Sequence, residues 1–251
     1  MEHVQQSIFT KDLPVRYHEL DNCGKLRVAT LLNYLQDTAG MHAALLGVSL
    51  ADLRKLGLTW VLSRIHLLVE RYPRAGETVT IRTWPAVRQE VFTCREFELC
   101  DHLGAWVARA TTSWAVLNAA SRRPVRLEGN LPPYPLTPRR AVDDDFAPLP
   151  AFREAATAEM GFRVLRSDLD VNNHVNNTVY AGWALEAVPD SIASGSLTEL
   201  EIAFRAEVHR GDSVISRCAV ADNGPLTCCL HQILRQRDGR ELARLRTRWE
   251  I

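Results

Sequence analysis

Three polar side chains of different chemistry, Asp170, Asn172 and His174, stand at alternate positions in a run rich in Asn and Asp. In an extended segment this spacing places all three on one side of the backbone, whereas in a helix Asn172 points away from the other two. A carboxylate, an amide and an imidazole facing one cleft could serve acid–base chemistry. Asn and Asp also favour turns and caps. The run is therefore predicted on a loop or strand end just before a helix, where a plain turn or helix cap is the commoner role of such residues.

Helices are predicted after this run and after one earlier polar run. Asn177 can cap a helix that reaches about Val188, and Pro189 ends it. Residues 21–24, Asp-Asn-Cys-Gly, precede a longer predicted helix, roughly Val28 to Leu46, whose apolar residues recur close to helical spacing.

The chain repeats itself at an offset of 135 residues. Residues 76–114 align without gaps on residues 211–249, and 11 of the 39 positions are identical. The identities include two turn glycines and a tryptophan near the end of each segment, namely Gly76/Gly211, Gly104/Gly239 and Trp114/Trp249. A period this long indicates duplicated domains rather than a solenoid.

Runs of β-prone residues follow each predicted helix. In the first copy they are Thr59–Val69, Val79–Trp84, Val91–Leu99 and Ala105–Leu117. In the second copy they are Thr198–Val208, Val214–Val220, Thr227–Leu234 and Leu242–Ile251. One helix against one antiparallel sheet is a two-layer α+β unit.

The segment between the two copies has a different composition. Residues 119–160 hold seven of the twelve prolines, two Arg-Arg pairs and an Asp-Asp-Asp run. We therefore predict an N-terminal unit over residues 1–118, an extended linker over 119–160 and a C-terminal unit over 161–251.

Composition narrows the class of protein. The formal net charge is zero, which argues against nucleic-acid binding driven by bulk charge. Residues 1–10 are polar and no apolar run approaches 18 residues, so we expect a cytoplasmic protein without a membrane span. The six cysteines show no CxxC pair and no metal-binding spacing, and they are expected to be free thiols in a reducing compartment.

Several familiar chemistries lack their motifs. The chain has no GxSxG, GxGxxG, GxxxxGK[ST] or HExxH. Asp170 and His174 could ligate a metal, but no second His or Cys lies nearby in the sequence, so we expect neither a metal nor a cofactor.

Together these features resemble the acyl-acyl carrier protein thioesterases, double hot-dog enzymes that end fatty-acid synthesis by hydrolysing the acyl thioester. The resemblance covers nearly the whole chain. In the second copy it rests on DVNNHVNNTVYAGWALEAVP at 170–189, LEIAFRAEV at 200–208 and RGDSV at 210–214. In the first copy it rests on WVLSR at 60–64 and GETV at 76–79. The resemblance implies a tandem double hot-dog fold, each unit a long central helix wrapped by an antiparallel β-sheet.

The resemblance also implies the catalytic residues, which are Asp170, Asn172, His174 and Glu207. Plant members often carry Cys immediately after that Glu, but this chain has Val208 there. A thiol nucleophile at that position is therefore excluded, which leaves direct attack by water.

The expected roles follow from thioester hydrolysis, which needs a base for water and donors for the oxyanion. Glu207 is the expected base, His174 shares or relays the proton, and Asp170 orients His174 or polarises it from behind. Asn172 could bind the carbonyl oxygen or the water, assisted by backbone N–H groups at the start of the Asn177 helix.

One active site per chain is expected, because the first-copy loop at residues 21–26 lacks the His. The first unit would then serve acyl binding and packing. The expected partner is acyl carrier protein, with no nucleic acid or membrane partner, and the chain could form a homodimer. Since the carrier is acidic, its candidate docking residues are basic, namely Arg122, Arg123, Arg126, Arg139 and Arg140.

Three alternatives remain open from the sequence. A hot-dog acyl-CoA thioesterase differs only in the carrier. A hot-dog hydratase would use the Asp/His pair on an enoyl thioester, although Asn172 with Glu207 fits hydrolysis better. A non-catalytic acyl-binding regulator is the alternative from another class.

Overall fold

The structure, a computed structural model, describes residues 7–153, 155–223 and 226–251. The chain divides into two compact units, one formed by residues up to 63 with 67–145 and the other by residues 64–66 with 146–251. Each unit combines one main helix with five antiparallel strands, so the predicted α+β class is confirmed.

The first unit contains two helices and five strands. The helices are α1 (Val28–Leu45) and α2 (Leu50–Lys55). The strands are β1 (Phe9–Pro14), β2 (Leu58–Val69), β3 (Thr78–Arg88), β4 (Phe92–Cys100) and β5 (Trp106–Asn118), in the spatial order β1-β3-β4-β5-β2. Helix α1 packs on β1 and β3 through one buried stripe that includes Leu31, Leu35 and Thr38.

The second unit has the same plan. Its helices are α3 (Asn177–Glu186) and the short α4 (Asp190–Ala193). Its strands are β6 (Ala158–Arg163), β7 (Ser196–Phe204), β8 (Ser213–Asn223), β9 (Thr227–Arg235) and β10 (Glu241–Glu250), in the order β6-β8-β9-β10-β7. Helix α3 packs on β6, β8 and β9 with five of its ten residues buried, including Tyr180 and Trp183.

Matching irregularities confirm the internal repeat. A β-bulge interrupts the pairing at Ala86 in β3 and at Ala221 in β8, which are equivalent residues at the 135-residue offset. The indole N–H of Trp114 donates to the hydroxyl of Thr112 at 2.9 Å, and Trp249 repeats this bond to Thr247 at 2.9 Å. The two units therefore share details of backbone and side-chain packing as well as strand order.

The ungapped repeat is out of register in one strand. In β4, Cys94 pairs with Ser113, whereas in β9 the residue that pairs with the equivalent Arg248 is Cys228. At the ungapped offset of 135 residues, Cys94 aligns instead with Cys229. One residue is missing from the turn before β9 and one is added to the turn after it, so the two changes cancel in the length. Because a one-residue slip exchanges the two faces of a strand, the Cys94/Cys229 identity is not structurally equivalent.

The structure contains two strands that the sequence does not predict, and one predicted strand is shorter than expected. Strands β1 and β6, the first of each unit, lack a clear apolar alternation, and β6 begins inside the segment predicted as linker. Strand β7 was predicted to reach Val208 but ends at Phe204. The predicted linker divides between the units, with residues 119–145 in the first and 146–160 in the second.

Candidate active site

The carboxylate of Asp170 builds the loop that carries the predicted catalytic side chains. Its Oδ1 accepts the backbone N–H groups of Asn172 at 2.8 Å and His174 at 3.1 Å, and its Oδ2 accepts the Asn172 side-chain amide at 3.3 Å. The backbone N–H of Asp170 in turn donates to the carbonyl of His174 at 2.8 Å. Asn173 takes the left-handed conformation, φ +63°, that Asn tolerates. The predicted loop before a helix is confirmed, but it is a closed turn and not an extended segment.

Asp170 therefore positions His174 through the backbone. Among the contacts of the described residues, its carboxylate bonds the main chain of His174 and not the imidazole. Both carboxylate oxygens accept hydrogen bonds within the loop.

The first unit contains the same turn without the same side chains. The Oδ1 of Asp21 accepts the backbone N–H groups of Cys23 and Lys25, each at 2.8 Å, and the Asp21 N–H donates to the Lys25 carbonyl at 2.8 Å. Gly24, at φ +72°, stands where the second unit has Asn173. The turn thus belongs to the duplicated fold, and the side chains presented on it differ between the units.

Asn176, one residue earlier than predicted, caps α3. Its side-chain oxygen accepts the backbone N–H of Thr178 at 3.1 Å, and its carbonyl accepts that of Val179 at 3.0 Å. These two N–H groups are consequently occupied in the cap, which weakens the expectation that the helix start binds an oxyanion.

A β-bulge brings Glu207 to this loop. The backbone N–H groups of Arg205 and Ala206 both donate to the carbonyl of Leu242, at 2.9 and 3.1 Å, and Leu242 is the extra residue of a bulge in β10. The chain leaves the sheet there, which is why β7 stops at Phe204 and Glu207 lies on a loop.

Tyr180 on α3 supports the Glu207 segment from inside. It is buried, its ring meets Phe204 edge-on at 5.5 Å, and it forms a hydrogen bond with the backbone of Val208. Burial and, secondly, the charge of Glu207 raise the pKa of Tyr180 well above its usual range. The phenol stays neutral and anchors the residue that follows Glu207.

The two ionisable side chains meet at the surface of the second unit. His174 Nε2 lies 3.8 Å from Glu207 Oε2, and the side chains are 34% and 39% exposed. This separation exceeds a direct hydrogen bond, but one water molecule beside the pair can bond both atoms. An imidazole and a carboxylate that share a water and face solvent can activate that water as a nucleophile.

The equivalent corner of the first unit carries different chemistry. The N–H groups of Glu70 and Arg71 both donate to the carbonyl of Val107, at 3.0 and 3.3 Å, which repeats the bulge described above. Tyr72 therefore occupies the position of Glu207. Lys25 occupies that of His174, and its ammonium lies 6.0 Å from the centre of the Tyr72 ring. A cation over a phenol ring replaces the imidazole–carboxylate pair, in keeping with the expectation of one site per chain.

An open groove of about 1020 Å³ runs beside the site. It is lined by Arg163, Val164, Leu165, Arg166, Ser167, Asn173, His209, Arg210 and Gly211. The imidazoles of His209 and His174 lie 6.3 Å apart between ring centres. No local sequence pattern predicts His209 or the three arginines as part of the site, because only the fold brings residues 163–166 next to residue 210.

Two of the arginines predicted to dock the carrier form ion pairs with buried carboxylates of the first unit. Arg140 Nε donates to Glu96 Oε1 at 2.8 Å, and Arg139 pairs with Glu98. Both carboxylates are buried, and breaking such a pair leaves an uncompensated charge. Arg139 and Arg140 therefore have structural partners in the first unit, and their part in docking a carrier stays a prediction.

Solved structures define the class of fold. A 12:0-ACP thioesterase from Umbellularia californica superposes with a TM-score of 0.86 at 26% identity, covering 98% of this chain and 95% of that chain. An acyl-ACP thioesterase from Bacteroides thetaiotaomicron gives 0.86 at 24% identity over 97% and 98% of the two chains, which supports the fold alone. The predicted tandem double hot-dog fold is confirmed.

Sequence comparison then defines the family. Residues 6–132 match the acyl-ACP thioesterase N-terminal domain, and residues 152–251 match the acyl-ACP thioesterase C-terminal domain. The chain belongs to the acyl-ACP thioesterase family. It is 31% identical to a chloroplastic palmitoyl-acyl carrier protein thioesterase of Gossypium hirsutum over 96% of its own length and 63% of that protein. A similarly named protein of Cuphea hookeriana is 30% identical over 96% and 62%.

The chain thus spans less than two thirds of the length of these curated relatives. No helix among the described residues is long and apolar enough to cross a membrane.

Proposed function

We propose that this protein hydrolyses the thioester of fatty acyl-acyl carrier protein to a free fatty acid and the carrier, which ends fatty-acid chain elongation. The observation that carries the proposal is the His174–Glu207 pair, which the duplicated fold sets at one corner of the second unit only. Membership of the family and the named activities of the relatives support the same reaction.

In the proposed reaction, Glu207 with His174 removes a proton from water as the oxygen attacks the thioester carbonyl. The tetrahedral intermediate then collapses, the carbon–sulfur bond breaks, and the departing thiolate takes a proton to give the carrier thiol. Asn172 is the candidate donor to the oxyanion, because its side-chain amide is held on the same loop as His174 by a bond to Asp170 Oδ2 at 3.3 Å. Asp170 acts as a positioning residue that fixes the backbone of His174.

Water is the proposed nucleophile. Val208 follows Glu207, so no thiol occupies that position, and the Val208 side chain is buried. A base that activates water in place needs the partial exposure that both members of the pair retain.

Other expectations remain proposals. They are a cytoplasmic location, a homodimer, acyl binding by the first unit, catalysis by the second, and the absence of nucleic-acid and membrane partners. The relatives are named as chloroplastic proteins. Direct localisation of this protein tests the expected cytoplasmic compartment.

The proposal is tested by single-turnover hydrolysis with the purified protein. Acyl-carrier and acyl-CoA thioesters of the same saturated chains are supplied separately, and free fatty acid is measured. Preferred release from the carrier supports the proposal, whereas preference for acyl-CoA identifies the alternative carrier. Tight acyl binding without release of fatty acid would identify a non-catalytic regulator, and water addition to an enoyl thioester would identify a hydratase.

A further inference from the structure

The groove beside the site is lined by three arginines and by no carboxylate. Arg163 ends β6, Arg166 lies in the turn that follows, and Arg210 immediately precedes Gly211 at the start of the turn into β8. All three are exposed, and none forms an ion pair among the contacts of the described residues. Other arginines of the same unit are paired, as Arg217 is with Glu159 at 2.7 Å.

The nearest acidic side chains in sequence are occupied elsewhere. Asp168 Oδ2 accepts the backbone N–H of Leu165 at 2.7 Å. Asp212 accepts the backbone N–H of His209 at 3.1 Å and lies 3.3 Å from Arg237. The positive charge along the groove is therefore left for a ligand.

The arginines are specific to the unit that holds the His174–Glu207 pair. At the structurally equivalent positions the first unit has Pro14, Tyr17 and Ala75. The duplicated fold alone thus does not account for the basic groove.

The lining of the groove includes a neighbour of each member of the His174–Glu207 pair. Asn173 precedes His174 on the loop, and His209 follows Glu207 by two residues with its ring 6.3 Å from that of His174. A molecule bound along the groove can therefore present a reactive group to the pair.

We propose that Arg163, Arg166 and Arg210 bind the phosphate of a phosphopantetheine arm, so that the thioester at the other end of the arm reaches His174 and Glu207. Guanidinium groups bind phosphate with two parallel hydrogen bonds, and several around one phosphate fix its position. The inference rests on the proposed function and deepens it. Acyl carrier protein and coenzyme A both carry this phosphate, so the site is expected to serve either source.

The test compares four thioesters of one acyl chain. Acyl-N-acetylcysteamine lacks the phosphate, acyl-4′-phosphopantetheine adds it, and acyl-CoA and acyl-carrier protein add the rest of each carrier. The variants are the three single Arg→Gln changes and their triple combination, with Arg217→Gln as a matched control that removes one positive charge outside the groove.

In the triple variant we expect kcat/KM for acyl-phosphopantetheine to fall about 10- to 100-fold relative to kcat/KM for acyl-N-acetylcysteamine, mostly through KM, because each exposed charged bond contributes modestly. Losses of similar size are expected with acyl-CoA and with the acyl carrier, and they should shrink as salt rises. Arg217→Gln should leave the ratio unchanged.

Three outcomes would overturn the inference. The ratio could stay constant in the triple variant. All four substrates could lose activity equally, which would indicate a structural effect. The loss could be confined to the acyl carrier, which would mean that the groove contacts the carrier protein and not the phosphate.

A binding measurement separates this inference from the proposed function. Calorimetric titration with pantetheine 4′-phosphate should show binding by the wild-type protein that the triple variant loses, even if the wild type hydrolyses none of the thioesters. Hydrolysis without such binding would contradict the groove assignment and leave the proposed function standing.

Discussion

Asp21 and Asp170 hold their loops with the same hydrogen bonds, since each carboxylate accepts the backbone N–H groups two and four residues further on. The first loop presents Lys25 and the second presents His174. The Asp21 turn is therefore an internal control for the Asp170 turn. Comparing variants of the two separates the contribution of the aspartate to folding from its contribution to chemistry.

Asp170→Ala and Asp21→Ala should each remove two such bonds. We expect each to lower the free energy of unfolding by about 1–3 kcal/mol, measured by urea denaturation. Only Asp170→Ala should also lower kcat strongly, because it releases the backbone of His174. Asp170→Asn keeps an oxygen that can accept both N–H groups, so it should unfold nearly as wild type does. Equal losses of kcat in the two Ala variants would contradict a local positioning role for Asp170.

His174→Ala and Glu207→Gln should each lower kcat by about 10²–10⁴-fold while circular dichroism stays near wild type, because each removes one member of the pair that activates water. Single-turnover hydrolysis measures this loss. The matched controls are Lys25→Ala and Tyr72→Phe, which alter the equivalent corner of the first unit and should retain most activity.

The pair should also behave as one unit. The double variant His174→Ala with Glu207→Gln is expected to lose far less than the product of the single losses, and the same holds for Asp170→Ala with His174→Ala. Near-wild-type turnover of Glu207→Gln would instead leave His174 as the base by itself.

Thiol alkylation should not inhibit the proposed hydrolysis. Cys23 is exposed, and the other five cysteines are free thiols of lower exposure. Burial raises the pKa of the Cys94 and Cys228 thiols, which slows their alkylation further. Mass spectrometry after brief treatment with N-ethylmaleimide should show Cys23 modified first, with activity retained. A folded Cys→Ser variant without activity would contradict the direct attack of water.

Both main helices and eight of the ten strands in the described part of the chain could be predicted from the sequence. Helix α1 has apolar residues at helical spacing, α3 lies between a capping Asn and Pro189, and the β-prone runs of the second copy repeat those of the first. The repeat could not reveal the slip of β9, since a shorter turn before the strand and a longer turn after it leave the length unchanged. Strands β1 and β6 lie at sheet edges and are short, so their apolar pattern is weak.

The site was predictable only in part. The motif predicts Asp170, Asn172 and His174 as site residues, and the family resemblance adds Glu207. The loop position of Glu207 depends on the bulge at Leu242, a residue with no special character in the sequence. The pairing of Arg139 and Arg140 with buried carboxylates likewise depends on the path of residues 139–140 over β4, which no local pattern specifies.

Stability should fall in mild acid because of a buried histidine that takes no part in the proposed chemistry. His231 on β9 is fully buried, its Nε2 lies 2.8 Å from the Thr247 hydroxyl, and its Nδ1 has no partner among the described residues. Burial lowers the pKa of His231 to about 4. Across the sheet it pairs with Cys218 and Leu245, neither of which offers a charge to stabilise the imidazolium.

The sign follows from proton binding. The unfolded chain takes up a proton at His231 near its ordinary pKa of about 6.5, whereas the folded chain does so only near 4. The contribution of His231 to the free energy of unfolding is therefore fully present above about pH 6.5. It decreases as the pH falls from about 6.5 to 4 and does not change further below pH 4. The shift corresponds to about 3 kcal/mol.

His231→Gln can still bond Thr247 but does not titrate, so its unfolding free energy should fall by about 3 kcal/mol less over this pH range than that of the wild type. Urea unfolding followed by tryptophan fluorescence at constant ionic strength measures the difference, with the exposed His102→Gln as the matched control. Parallel pH profiles for wild type and His231→Gln would show that His231 is protonated in the folded protein after all.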